Sequence, residues 1–152
     1  MKLAEALLLR ADVQKKIASL RERIVANAVV QEGDTPHEDP NQLLLEAYGA
    51  LDELESLVTK INRTNLDAKL PDGRTLTDAI AARDHLQQQH ALLTVAIGGT
   101  RKEPDRYGVR EIKWVSKLEV SKLQAQSDDV AKKIRELNGQ IQQTNWAVEL
   151  AG

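Results

Sequence analysis

The C-terminal part of the chain carries an apolar pattern that constrains the fold more than any other feature. Small or apolar side chains recur there alternately four and three residues apart, which is a strict heptad repeat. On a helix this spacing places every member on one narrow stripe, and such a stripe is stable when it packs against another helix. The members are Leu123, Ser127, Val130, Ile134, Leu137, Ile141, Thr144 and Val148. We therefore predict a long helix over about residues 121–149.

Three earlier segments have the spacing of amphipathic helices. They cover about residues 2–30, 40–65 and 76–97. The first stripe consists of Leu3, Leu7, Val13, Ile17, Leu20 and Ile24. The second consists of Leu44, Ala47, Leu51, Leu54, Val58 and Ile61, supported by Leu43, Ala50 and Leu57. The third consists of Ala79, Ile80, Leu86, Leu93 and Ile97. Four helices of similar length favour packing side by side.

The starts of two helices are marked by capping residues. Asp39 suits an N-cap and Pro40 suits the first helical position. Thr75 can cap the third helix through its hydroxyl, with Asp78 three residues later as its partner. Residues 71–73, Pro-Asp-Gly, suit the tight turn that precedes this helix.

These patterns predict an all-α fold, an antiparallel bundle of four long helices in a single domain covering residues 1–152. The apolar residues are almost all aliphatic, with no Phe, and this composition favours narrow helical seams over an aromatic-rich pocket. Between the third and fourth helices, glycines and a proline exclude a helix, and residues 109–120 then alternate apolar with charged side chains. We predict an irregular excursion or a short strand there.

Composition excludes several kinds of partner and site. The formal net charge of -2 gives no overall attraction to nucleic acid. The absence of cysteine excludes disulfides and thiolate metal sites and is typical of a reducing compartment. His37 stands in a loop beside two acidic residues, which is weak evidence for a metal. We expect a soluble, cytoplasmic protein without metal or cofactor, which binds neither nucleic acid nor membrane.

A weak internal echo relates the second and fourth helices at an offset of 80 residues. Its members are Leu54, Leu57, Ile61, Thr64 and Asn65, which align with Ile134, Leu137, Ile141, Thr144 and Asn145. One explanation of the echo is chance: two helices with heptad patterns resemble each other, and Asn is common at helix ends. The alternative is a real relationship, because the shared Thr-Asn falls on the apolar phase of both helices.

Polar residues cluster at one end of the predicted bundle and form the candidate site. The candidates there are Asn62, Arg63, Asn65, Asp72, Arg74, Asp78, Asn145 and Trp146. Arg10 and Arg83 lie on apolar stripes at a similar distance from that end, where they need carboxylates or a bound anion. Two interpretations stay open. The residues form turns, caps and internal ion pairs with Asp12, Asp84 or Glu136, or they bind a small anion.

No glycine-rich phosphate loop, nucleophile elbow or paired metal motif is present in the sequence. Any enzymatic activity of this protein would therefore be of a kind without a recognisable motif, with Asp72 or Asp78 as the general base. The four apolar stripes and the scarcity of aromatic residues favour instead a self-associating interaction or structural protein. We thus predict a homo-oligomer, with a small-ligand binder as the alternative.

Six segments in the same order resemble a family of small bacterial proteins known as septicolysin. They are LLLRAD, QEGDTPHEDP, INRTN, DGRTLTDAIAARD, REIKWVS and QQTNW. The resemblance covers nearly the whole chain and implies an all-helical, cytosolic protein of no settled function. The family name suggests a cytolysin. We expect no membrane-lytic activity, because the apolar faces of these helices are needed for the core and no apolar run approaches the length of a bilayer span.

Overall fold

The computed structural model describes residues 1–101 and 112–152, and this part of the chain is all-α. It contains α1 (Leu3–Asn27), α2 (Pro40–Asp67), α3 (Leu76–Gly99) and α4 (Val120–Ala147). The predicted all-α class with four helices is confirmed. Each helix begins within one residue of its predicted start and ends within three residues of its predicted end. In the described ranges no helix is both long and apolar enough to cross a membrane.

The end of α1 is fixed by a side chain that the apolar pattern does not reveal. Asn27 is buried, and its Nδ2 donates to the carbonyl oxygen of Arg23 at 2.9 Å. Its Oδ1 accepts from the backbone N–H of Glu38 at 3.1 Å. The Glu38 carboxylate in turn accepts from the Arg23 guanidinium, with Nε 2.9 Å from Oε2. The loop between the first two helices is therefore held against the last turn of α1.

The predicted short strand is not present in the described part of its range. Residues 112–119 form no strand, and residues 109–111 lie outside the described residues. A strand needs a paired neighbour and a covered face, whereas every side chain from 112 to 120 is exposed. Of the two predicted alternatives, the irregular excursion is the one that residues 112–119 adopt.

The chain divides into two compact units. Unit 1 comprises residues 1–69 and 142–152, and unit 2 comprises residues 70–141. The boundary at 141/142 falls within α4.

In unit 1, α1 and α2 pack against each other in antiparallel orientation. Arg23 pairs with Glu38, and Lys16, two turns earlier in α1, pairs with Glu46 further along α2, with Nζ 3.2 Å from Oε1. Partners that advance in opposite directions require antiparallel helices. Buried residues seven positions apart supply the seam: Ala6, Val13, Leu20 and Asn27 from α1, and Leu43, Ala50, Leu57 and Thr64 from α2, with Ile61 beside them.

The two ends of the chain meet in unit 1. The backbone N–H of Leu3 donates to the Val148 carbonyl at 3.1 Å, and that of Leu150 donates to the Met1 carbonyl at 2.9 Å. The Glu149 carboxylate accepts from Lys2 Nζ at 2.7 Å and from the N-terminal ammonium at 3.2 Å. These hydrogen bonds, from Lys2 first and the ammonium second, lower the pKa of Glu149. Both chain termini are thus held by backbone and side-chain bonds.

The echo between α2 and α4 extends to backbone hydrogen bonds that heptad spacing does not produce by itself. The bond from Leu150 N to Met1 O has a counterpart from Leu70 N to Arg74 O, also at 2.9 Å. The acceptors belong to the segments that precede α1 and α3. The residues that follow α2 and α4 are therefore bonded in the same way to the segments that precede α3 and α1.

The predicted seam of α4 is largely buried. Five of its members are buried, namely Ser127, Val130, Leu137, Ile141 and Thr144. The other three, Leu123, Ile134 and Val148, are half-buried. Thr64 of α2 and its counterpart Thr144 are each 5% exposed. The heptad thus identifies the face of α4 that packs.

Candidate functional site

Asp72 and Arg74 form the turn that precedes α3. Gly73 adopts φ +89°, a conformation that glycine accepts without strain. The Asp72 carboxylate accepts from the Arg74 backbone N–H at 3.0 Å, and from Arg74 Nε and Nη2 at 2.9 and 2.7 Å. The side-chain bonds first, and the backbone bond second, lower the pKa of Asp72. This closed pair stabilises the turn and leaves the carboxylate a poor base.

Thr75 and Asp78 start α3 as predicted. The Thr75 hydroxyl oxygen accepts from the Asp78 backbone N–H at 3.1 Å. The same hydroxyl donates to the Asp78 carboxylate at 2.8 Å. The carboxylate also lies at the positive end of the helix dipole. Asp78 therefore has a capping role that accounts for its position.

The two stripe arginines have different surroundings. Arg83 pairs with its neighbour Asp84, with Nη2 3.0 Å from Oδ1. Arg10 is half-buried, and within residues 1–101 and 112–152 it makes no ion pair. The other carboxylates proposed as partners bind lysines, Asp12 with Lys15 and Glu136 with Lys132, both at 3.9 Å.

The ten predicted site residues divide between the two units. Unit 2 holds four, Asp72, Arg74, Asp78 and Arg83, and unit 1 holds six, Arg10, Asn62, Arg63, Asn65, Asn145 and Trp146. In unit 1, Asn145 is buried, whereas Trp146, Asn62 and Arg63 are exposed. The idea that all ten act as one site stays a prediction.

A groove in unit 2 includes two of the predicted residues and several that the sequence did not indicate. Its volume is about 400 Å³. The lining residues are Asp72, Arg74, Ala82, His85, Leu86, Lys133, Glu136, Leu137 and Gln140. The hydrogen bond from Lys133 Nζ to Asp129, 2.9 Å long, raises the pKa of Lys133. Finding His85 and Lys133 requires the register between α3 and α4, and no local pattern encodes that register.

The first half of α2 carries an exposed apolar surface, which we call the α2 face. It consists of Leu44, Leu45, Tyr48 and Leu51. The last three are 61%, 57% and 47% exposed. The sequence pattern had placed Leu44 and Leu51 on the packed stripe, and this assignment is wrong. Leu43, Ala50 and Leu57 are buried instead, and the leucines beside them on the helix lie toward solvent.

Beside Tyr48 and Leu51, the α2 face carries acidic residues. Asp52 lies four residues after Tyr48, and Glu55 lies four residues after Leu51, so each is a neighbour on the helix surface. Both carboxylates are exposed. Between residues 32 and 55 there are eight acidic residues and no Lys or Arg. The α2 face is thus apolar in its centre and negative at one edge.

A second apolar surface lies in unit 2, in the residues that precede α4. We call it segment 112–118; its sequence is IKWVSKL, which contains two lysines and no acidic residue. Trp114 is 69% exposed, and Ile112 and Val115 are more exposed still. A cleft of about 380 Å³ separates Trp114 and its successors from Ala96, Gly99 and Thr100 near the end of α3.

The described residues contain no group of three or more His, Asp or Glu side chains placed to hold a metal ion. In the loop around His37, the neighbouring carboxylates have other partners. Glu38 binds Arg23, and Asp39 caps α2 by accepting from the Asn41 N–H at 2.9 Å.

Comparisons with known proteins agree with this fold. Residues 10–150 match the model of a family of unknown function, DUF6847. The chain is also similar to a crystal structure described as that of a functionally unknown conserved protein from Corynebacterium diphtheriae. The two chains are 36% identical, the match covers 99% of each, and the TM-score is 0.92. No protein of curated function is detectably similar. The descriptions of the family and of the similar structure name no activity.

Proposed function

Because the chain belongs to this family of unknown function, DUF6847, we propose a function from its own surfaces: it is a self-associating interaction or structural protein. The α2 face carries the proposal. Four large side chains, Leu44, Leu45, Tyr48 and Leu51, are exposed on consecutive turns of one helix. Apolar residues scattered singly over a surface are ordinary, whereas a contiguous apolar patch marks an interaction site.

The opposite side of α2 explains why this surface is available. Leu43, Ala50 and Leu57 already pack against α1, so the fold of unit 1 does not need the neighbouring lane. A surface of a second copy that packs on the α2 face would cover this lane. The predicted antiparallel bundle of this chain's four helices also belongs to this proposal, and the antiparallel α1–α2 pair supports it. The cysteine-free composition supports the cytoplasm as the compartment.

The test is the mass of the protein in solution. Light scattering at tens of micromolar should report an oligomer for the wild type and a monomer for the double variant Leu45→Glu/Tyr48→Glu. Leu66→Glu is the matched control, because Leu66 is an exposed leucine of α2 about four turns beyond Leu51. A monomeric wild type would remove the proposal.

A second candidate function rests on the groove of unit 2. Arg74, His85 and Lys133 place basic groups around a floor that includes Leu86 and Leu137. Such a mixture of polar groups over an apolar floor is typical of small-ligand sites. A small carboxylate or phosphate would fit the cationic Arg74 and Lys133, and an unrecognised enzyme would use the same place. The internal pairs Arg74–Asp72 and Lys133–Asp129 compete with a ligand, and this competition ranks the candidate second.

Thermal unfolding with added phosphate or citrate tests this candidate. Ligand at about 100 times its Kd stabilises the folded state by about 2.7 kcal/mol. We expect the wild-type midpoint to rise and the rise to disappear in Lys133→Met. The control is Lys122→Met, which removes an exposed lysine of α4 that neither lines the groove nor pairs with a residue that does. A wild-type midpoint that neither anion moves would end the candidate.

A further inference from the structure

We propose that segment 112–118 of one copy of the chain docks on the α2 face of a second copy. The inference rests on the self-association proposed above and names the two surfaces that meet. The two surfaces are alike, since both expose large apolar side chains. Trp114 is the largest of these and is the type of residue that anchors interfaces.

The charges of the two surfaces are complementary. Segment 112–118 contributes Lys113 and Lys117, and all its residues are exposed. The α2 face ends at Asp52 and Glu55, and the described residues give neither carboxylate an ion pair. Opposite charges at the edge of an apolar contact steer association and fix its register. Two lysines four residues apart can meet two carboxylates three residues apart through their flexible side chains.

A second copy is the occupant that these observations favour. A foreign partner would have to supply both a basic and an apolar surface, whereas this chain already contains one. In a dimer with two-fold symmetry, each copy would give its segment and receive its partner's, so the contact would occur twice. The acidic run from residue 32 to residue 55 would disfavour contact between two α2 faces, because like charges would then approach each other.

Charge reversal of each surface tests the docking. Lys113→Glu/Lys117→Glu reverses the segment, and Asp52→Lys/Glu55→Lys reverses the edge of the α2 face. Each variant alone should raise the dissociation constant of the oligomer by about tenfold or more, since like charges across an interface are strongly unfavourable. An equimolar mixture of the two variants should restore association, because every contact in the mixed dimer again joins opposite charges.

Cross-linking shows which chains supply the contact. A zero-length carbodiimide reagent joins Lys to Asp or Glu in direct contact. In a mixture of unlabelled and ¹⁵N-labelled wild type, we expect cross-linked peptides that join Lys113 or Lys117 of one label to Asp52 or Glu55 of the other. Cross-links confined to one label would overturn the proposal in favour of docking within a chain.

The other outcomes separate this inference from the proposed function. If the wild type is an oligomer and neither reversal weakens it, the docking is wrong and self-association stands. If the wild type is a monomer, both proposals fail. If each variant dissociates but the mixture does not reassociate, docking between copies is overturned. Circular dichroism melting of all variants verifies that their helices remain folded.

Discussion

Asn27 is the residue whose role is least visible in the sequence. Its buried amide joins the end of α1 to the loop by donating to the Arg23 carbonyl and accepting from the Glu38 N–H. Asn27→Ala leaves that N–H without its acceptor, and we expect a loss of about 1–3 kcal/mol of unfolding free energy. Urea titration measures the loss. The control Asn62→Ala removes an exposed amide from α2 and should change stability by less than about 0.5 kcal/mol. Equal effects would contradict this role for Asn27.

The ion pair beside Asn27 makes stability depend on pH. The side-chain hydrogen bond from Arg23 lowers the pKa of Glu38 below its ordinary 4.5. A group whose pKa is lower in the folded state stabilises that state above its unfolded pKa. The contribution is lost as pH falls through the folded pKa. We therefore expect the stability gap between wild type and Glu38→Gln to shrink below about pH 4.5.

Thermal melts from pH 7 to pH 3 test this dependence. Glu22→Gln is the control, since it removes an exposed carboxylate from α1 without breaking an ion pair among the described residues. A gap between wild type and Glu38→Gln that stays constant over this range would contradict the proposed linkage.

Local signals predicted the residues whose roles depend on their immediate neighbours. Asp39 and Thr75 follow from capping chemistry over two or three residues, and the α4 seam follows from spacing within one helix. Asn27 bonds the loop before α2, and His85 and Lys133 line a groove together with residues of other elements. No pattern within a single helix identifies them, because their roles arise only when the helices pack.

At the scale of elements, the same distinction explains the error in α2. Two neighbouring stripes along α2 are apolar, since Leu43 and Ala50 are seven residues apart and so are Leu44 and Leu51. Each stripe is one lane of the helix surface, and Leu45 lies beside the second. Spacing alone cannot decide which lane packs against α1. The structure buries Leu43 and leaves Leu44 and Leu45 exposed. Helix ends were easier to predict, because Pro, Gly and capping side chains act locally.

The two lanes of α2 should respond differently to the same substitution. Leu43→Ala opens a cavity against α1 and should cost about 2–5 kcal/mol of unfolding free energy. Leu45→Ala, on the exposed lane, should change monomer stability by less than about 0.5 kcal/mol and should weaken self-association. Urea titration at low protein concentration and light scattering at high concentration separate the two effects. Similar losses of stability for both variants would contradict the assignment of lanes.

At the scale of the whole molecule, the sequence was sufficient for the all-α class and four helices. The sequence did not identify the apolar surfaces that remain exposed after folding. The α2 face is exposed because α1 packs against the neighbouring stripe of apolar residues on α2. Segment 112–118 is exposed because its residues do not pair as a strand. Both are properties of the folded chain.

The hydrogen bond between Leu150 and Met1, matched by the one between Leu70 and Arg74, joins the two ends of the described chain in the way that the turn before α3 joins its flanks. Residues 1 and 150 are joined as residues 74 and 70 are joined across the turn before α3, so the polypeptide can be opened at that turn and closed between residues 152 and 1. We expect a circular permutant that starts at Gly73, ends at Asp72 and joins Gly152 to Met1 through a short glycine linker to keep its helical spectrum and unfold cooperatively.

A second permutant, opened between Gln88 and Gln89 inside α3, is the control, because it breaks a helix and should lose stability. Loss of the fold in both permutants would show that the ends are not interchangeable with the turn. Retention in the first alone would show that the backbone bonds beside the turn and those joining residues 1 and 150 support the helices in the same way, whichever of the two connections is covalent.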